Sequence, residues 1–177
     1  MKVISIRSFI KKMKKRLAIY PGSFNPFTKG HFDILAKAEA IFDEVVIVVG
    51  NNPEKNNSGF DLLKTLQFQL PEKKIERFSG FLVDYVYQKE GEGYDVTIVR
   101  GLRNGADLDY EINMLRVLED QKPDIKMVFL PCNRKFEHIS SSMVRAMEKI
   151  QEGAASEYVV KPEVVLAGMV KSEQKKI

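Results

Sequence analysis

Three short stretches of this chain combine residue types that hold phosphate oxygens. The first is Gly22-Ser23-Phe24-Asn25-Pro26-Phe27-Thr28-Lys29-Gly30-His31, which interleaves glycine, proline, hydroxyl and imidazole. Gly22 and Gly30 permit sharp turns and a close approach of backbone to ligand, while Pro21 and Pro26 stiffen the loop. The second stretch, Arg100-Gly101-Leu102-Arg103, sets two guanidinium forks three residues apart, suited to clamping a polyphosphate. The third, Ser140-Ser141-Ser142, supplies hydroxyl and amide donors of the kind found at a helix N-terminus that binds an anion. Lys55, in a polar loop, reads by itself as surface charge. Such a set suits the binding of a phosphate-bearing ligand.

These residues need a scaffold that gathers them, and the apolar pattern supplies one. Leu17-Ala18-Ile19 precedes the first stretch, and Phe32, Leu35, Ala38 and Phe42 recur after it at helical spacing. The order is strand, tight loop, helix, with His31 on the helix's first turn. The spacing fits neither G-x-x-x-x-G-K-[ST] nor G-x-G-x-x-G. Val45–Val49 reads as a buried parallel strand, followed by the turn-rich loop Gly50–Gly59 and a helix from Phe60 to Leu70. Lys74–Phe78 alternates as a strand, Phe81–Gln88 reads as a helix, and Val96–Val99 is β-branched. Asp107 is placed to cap a helix from about Leu108 to Leu118. Met127–Leu130 is the last strand. His138–Ser142 opens a helix with Met143, Met147 and Ile150 on one face, and a final helix starts near Pro162. Strands alternating with helices predict an α/β fold, an open parallel sheet with helices on both faces. In such sheets ligands bind beyond the carboxyl ends of the strands. Each polar cluster falls at one of those ends.

Composition narrows the field. The 177 residues predict one domain over 13–177, preceded by a basic extension, residues 1–12. Lys2, Arg7, Lys11 and Lys12 of that extension account for the whole formal charge of +4, so no nucleic-acid partner is expected of the folded body. Met13-Lys14-Lys15-Arg16, just before the first strand, looks like a natural start. The apolar runs are too short to span a bilayer, so no membrane partner is expected. One cysteine, Cys132, rules out an intrachain disulfide and fits a reducing, cytoplasmic compartment. Two histidines and one thiol offer no zinc cluster.

Thr28-Lys29-Gly30-His31 resembles the T/H-x-G-H signature of the nucleotidyltransferase superfamily. With Gly22–Pro26 before it, Arg100–Arg103 followed by Asp107-Leu108-Asp109-Tyr110-Glu111, and then Ile139–Ser142, the chain resembles bacterial phosphopantetheine adenylyltransferases from about Lys15 to Pro162. The middle block separates it from nicotinate mononucleotide adenylyltransferases, which share the first and last motifs. The resemblance implies a Rossmann-like fold and transfer of AMP from ATP to 4′-phosphopantetheine, with magnesium held through the ATP phosphates rather than by protein ligands. It implies catalytic roles for His31 at the transition state, Lys55 and Arg103. Ser23, Phe24, His31, Gly101, Leu102, Arg103, Glu111 and Phe136, Glu137, His138, Ile139, Ser140, Ser141 and Ser142 would contact ATP. Ser23, Lys55, Leu82 and Arg100 would contact the acceptor. The resemblance also implies a homohexamer.

The chain departs from the family pattern at three places. Asn25 replaces an aspartate, Asn56–Asp61 replaces a K-P-x-F-[ST]-x-E-E-R-like segment, and Leu118 stands where a polar residue is usual. Three other readings stay open: a nicotinate or nicotinamide mononucleotide enzyme, a non-catalytic nucleotide-binding relative, and attachment of residues 1–12 to RNA or a membrane alongside enzyme activity.

Overall fold

The computed structural model describes residues 14–50 and 59–162, the side chains of 59–61 excepted. Its elements follow in the order β1 (Arg16–Gly22), α1 (Lys29–Ile41), β2 (Glu44–Gly50), α2 (Gly59–Gln69), β3 (Lys74–Phe78), α3 (Leu82–Gly91), β4 (Asp95–Leu102), α4 (Gly105–Gln121), β5 (Met127–Pro131), a single 3-10 turn (Arg134–Phe136) and α5 (Ser141–Ile150). Because strand side chains alternate, the apolar runs feed two layers at once. Ala18, Tyr20, Ile47, Val49, Val99 and Leu130 pack against Ile34, Leu35 and Ala38 of α1 and Leu66 of α2. The alternate set, Leu17, Ile19, Val46, Val48, Val96 and Ile98, meets Val83, Tyr85 and Val86 of α3 and Leu118 of α4. Each valine, leucine or isoleucine among them contributes about 1.5–3 kcal/mol when fully buried. Leu118 is therefore apolar because it completes the second layer.

All four strand pairings are parallel, in the order β3-β2-β1-β4-β5. The chain builds outward from β1 through β2 to β3, then crosses to the far side of β1 for β4 and β5. The direction of winding reverses between β1 and β4, and the carboxyl ends of those two strands open a crevice there.

Several boundaries differ from the sequence expectation. β4 does not stop at Val99: Arg100, Gly101 and Leu102 pair with Phe129, Leu130 and Pro131. The following helix is capped by Asn104, whose side chain accepts from the Asp107 amide, and it runs three residues past Leu118. Asp107 is instead in the first turn, its carboxylate drawn to Arg103. α3 continues through Gly91 rather than ending at Gln88. On α5 the buried residue is Val144, with Met143 and Met147 half-buried, while Ile150 is 86% exposed and leaves the predicted face. The basic extension, Lys55 with its loop, and the helix expected beyond Pro162 lie outside the described residues.

Candidate active site

The loop after β1 is shaped by an aromatic anchor. Phe24 adopts a left-handed backbone (φ 44°) and is buried. Its ring folds back over Gly22 so closely that a Cβ there would lie 2.7 Å from it. Only glycine fits beneath that ring. The ring lies edge-on to Tyr20 at 5.1 Å and to His31 at 5.2 Å, and tilts against Phe27 at 5.4 Å. Left-handed backbone at a non-glycine residue costs about 1–3 kcal/mol. Burying one aromatic ring returns a comparable amount, and Phe27 beside it is buried as well.

The loop leads into a variant of the capping box. Thr28 is the N-cap of α1 and its hydroxyl accepts from the His31 amide (3.4 Å). In return the Thr28 amide donates to His31 Nδ1 (3.1 Å), a role that glutamate or glutamine usually fills. A backbone N–H can only donate, so Nδ1 must carry the lone pair and the neutral ring keeps its proton on Nε2. Burial, then the charges of Arg103 and Arg100, lower the His31 pKa to about 4. At neutral pH the ring is thus an uncharged N–H donor.

The two arginines are held by carboxylates. Arg100 donates through Nε and one terminal nitrogen to both oxygens of buried Glu111 (2.7 and 2.6 Å), and through the other nitrogen to Pro21 O (2.8 Å). Two of its five N–H groups remain for a ligand. Arg103 makes the same two-pronged contact with Asp107 (2.9 and 2.8 Å), whose carboxylate also accepts from the Arg103 amide. Arg103 holds the Asp107 carboxyl below the usual carboxylate range. Gly101 between them lets β4 pass under α1: a Cβ there would fall 2.7 Å from Ile34 Cγ1.

Opposite, Ser140 caps α5, its hydroxyl accepting from the Met143 amide and hydrogen-bonding the Ser142 hydroxyl (3.0 Å). Ser141 donates to Pro26 O, and Arg145, one turn later, donates to Asn25 O. The start of α5 is thereby fastened to the loop after β1.

These parts enclose a cavity of about 400 Å³ at the switch point, within the range of small-molecule sites. Ser23, Phe24 and His31 line it from the first stretch, Arg100, Gly101 and Arg103 from β4 and its end, Glu111 from α4, and Ile139 through Ser142 from the last motif. Leu102, Phe136, Glu137 and His138 stand outside that lining. Phe136 backs Gly30, and His138 sets its ring perpendicular to Tyr158. Leu82 packs with the core layer under α3, away from the cavity. The sequence reading missed Cys132, Ile34 and Arg145 as cavity residues. Arg145 was discoverable, because it follows Ser141 by four residues and so shares its helix face.

Comparison with known proteins agrees with the arrangement. The family model described as Cytidylyltransferase-like matches residues 19–147. The phosphopantetheine adenylyltransferase of Alkaliphilus metalliredigens is 35% identical over 161 residues, covering 88% of this chain and 98% of its own length. The chain belongs to the phosphopantetheine adenylyltransferase family. That of Clostridium novyi is 36% identical over 135 residues, covering 73% of this chain and 81% of its own. Solved structures extend the likeness at the level of fold alone. A Plasmodium falciparum nicotinic acid mononucleotide adenylyltransferase complexed with APC superposes with a TM-score of 0.59 at 15% identity, covering 90% of this chain and 96% of that one. A bifunctional NMN adenylyltransferase/ADP ribose pyrophosphatase from Francisella tularensis gives 0.59 at 13% identity, covering 84% of this chain and 46% of that one. The chain is thus a nucleotidyltransferase of the phosphopantetheine adenylyltransferase family, in a Rossmann-like parallel sheet.

Proposed function

We propose that the protein transfers AMP from ATP to 4′-phosphopantetheine, giving dephospho-coenzyme A and pyrophosphate. The observation that carries this reading is the neutral His31 N–H donor, held in one cavity with Arg100, Arg103 and the start of α5. A phosphate oxygen of the acceptor attacks the α-phosphorus of ATP, and the bond to the β-phosphate oxygen breaks as pyrophosphate leaves. Negative charge builds on the non-bridging oxygens, where an N–H that keeps its proton stabilises the transition state. Arg103 and the α5 N-terminus suit the triphosphate, with Glu111 and Gly101 beside the nucleotide. Arg100 keeps two N–H groups without a partner among the described residues for the acceptor phosphate, which Lys55 would help to hold. The cavity carboxylates are occupied by arginines, which fits a magnesium ion bound through triphosphate oxygens. When bound, it would offset charge on the leaving pyrophosphate.

The reading extends to a homohexamer in the cytoplasm. Exposed Tyr110, Met114 and Val117 on α4 support self-association, and the single cysteine fits a reducing compartment. Pyrophosphate release from ATP, with the acceptor varied, tests the activity. Release with phosphopantetheine and not with nicotinate or nicotinamide mononucleotide is expected. Release with a mononucleotide alone, or with neither, would overturn it.

A further inference from the structure

We propose that Gln69, at the last turn of α2 and outside the cavity, positions His31 through the segment Tyr158–Val160. The inference rests on His31 acting as the transition-state donor. The path is a continuous run of hydrogen bonds. Gln69 is buried, and its Nε2 donates to Val160 O (3.2 Å). Val160, also buried, donates its amide to Phe27 O (3.4 Å). Val159 forms an antiparallel bridge with Thr28, and the Lys29 amide donates to Tyr158 O (2.9 Å). Thr28 is the residue whose amide and hydroxyl both meet His31 Nδ1. Thr28, which fixes the imidazole's tautomer, and its chain neighbours Phe27 and Lys29 are therefore strapped from behind by a segment that Gln69 holds.

The amide itself identifies the task. Val160 O can only accept, so the Gln69 NH2 faces it and Oε1 faces away. Oε1 is buried without a hydrogen-bond partner among the described residues. A buried acceptor left unpaired is destabilising by about as much as one hydrogen bond stabilises. Gln69 thus gains little for stability alone, since an unbranched apolar side chain of similar length would fill the same space and trade one orphaned acceptor, Oε1, for another, Val160 O. What it adds is a directed donor on the strap. Its neighbours Leu66 and Leu70 belong to the core layer that also holds Phe24, Phe27 and Val160, so the strap is clamped between packed groups on both sides. A displacement of about 1 Å at a catalytic group can cost about 10²-fold in rate.

Gln69→Met removes the donor and the orphaned Oε1, and leaves Val160 O unpaired in its place. The melting temperature is expected to stay within ~4 °C of wild type, the shift of about one net hydrogen bond in a domain of this size. Turnover should fall ~10-fold or more with KM for ATP within ~2-fold, since the imidazole that Gln69 positions acts in the transition state. Gln69→Glu supplies a second test: the introduced carboxyl donates to Val160 O only when protonated, and burial raises its pKa. Its turnover relative to wild type at the same pH should recover as pH falls from 8 to 6. In a His31→Ala background Gln69→Met should cost no further rate, because it acts through the imidazole. Turnover within ~2-fold of wild type in folded Gln69→Met, an equal loss in the His31→Ala background, or a pH-independent Gln69→Glu ratio would each overturn the proposal. Side-chain ¹⁵N spectra of His31 in the ligand-free protein separate this failure from that of the function. Gln69→Met should move the Nδ1 and Nε2 signals, and unmoved signals refute the positioning role whatever the rates. A His31→Ala protein of undiminished rate refutes the donor role instead.

Discussion

Substituting Gly101 by alanine tests how the sheet edge and α1 together place the imidazole. The added Cβ would stand 2.7 Å from Ile34 Cγ1, 3.3 Å from Cδ1 and 3.5 Å from Cγ2. Carbon atoms rest at about 3.5–4.0 Å, so the closest contact is short by about 1 Å. Ile34 is 2% exposed and β-branched, and has little freedom to swing away. Overpacking of this kind costs about 1–3 kcal/mol, and alanine's lower unfolded-state entropy returns about 0.5–1 kcal/mol. A net loss of about 1–2 kcal/mol should lower the melting temperature by ~2–8 °C. The relief available is a shift of α1 away from β4. Ile34 lies one turn after His31, so that shift draws the imidazole away from Arg103. Turnover in the pyrophosphate assay should therefore fall by ~10-fold or more while KM for ATP changes little. Ile34→Ala alone removes all three crowded atoms at a cost of about 2–5 kcal/mol. Combined with Gly101→Ala it should cost less than the two changes added, by about 1–2 kcal/mol. Strict additivity in urea unfolding, or a Gly101→Ala protein as stable and active as wild type, would refute the geometry.

Three other outcomes follow from the site. His31→Ala should reduce turnover ~10²-fold or more with a much smaller change in ATP affinity, as expected for loss of one transition-state donor; equal losses in both would exclude that role. His31 has a folded-state pKa near 4 against an ordinary value of 6.5, so its contribution to stability is complete above pH 6.5 and is lost as pH falls through 4. Because the ring borders the water of the cavity, the loss is about 1–2 kcal/mol. Urea titrations between pH 7 and 4 should show it in wild type and not in His31→Gln, well above the range in which Asp43 and Glu44, with pKa values near 2, titrate. Glu111→Ala leaves Arg100 with Pro21 O alone among the described residues. It should destabilise the ligand-free protein by about 2–4 kcal/mol, and inorganic pyrophosphate should raise its melting temperature more than that of wild type.

The two core layers were legible because apolar runs such as Val45–Val49 are read the same way whichever face a residue meets. The site's three stretches were legible too, since glycine, arginine and serine at strand ends carry a local signal. What escaped depended on distant partners. Arg100 and Gly101 look like the end of a strand, yet β5 supplies the ladder that extends it to Leu102. Asn104 and Asp107 are both good caps, and Arg103's claim on the Asp107 carboxylate leaves the cap to Asn104. The guanidinium pairs also escaped: spacing shows two arginines and two acids but not which oxygens face which nitrogens. The strap at 158–160 has no periodic signature, because a single bridge and two flanking hydrogen bonds make no pattern along the chain.

The arginine pairs give the site its own covalently tethered counterions. Glu111 and Asp107 sit against the guanidiniums at a high effective concentration, so a small stray anion must compete with a rival that cannot diffuse away. A ligand with several phosphates can touch Arg103, Arg145 and the head of α5 together, and it recovers in number what it concedes at each pair. The same acidic side chains that neutralise the resting pocket thereby set a threshold that favours extended polyanions over the phosphate and sulfate of the surrounding solution.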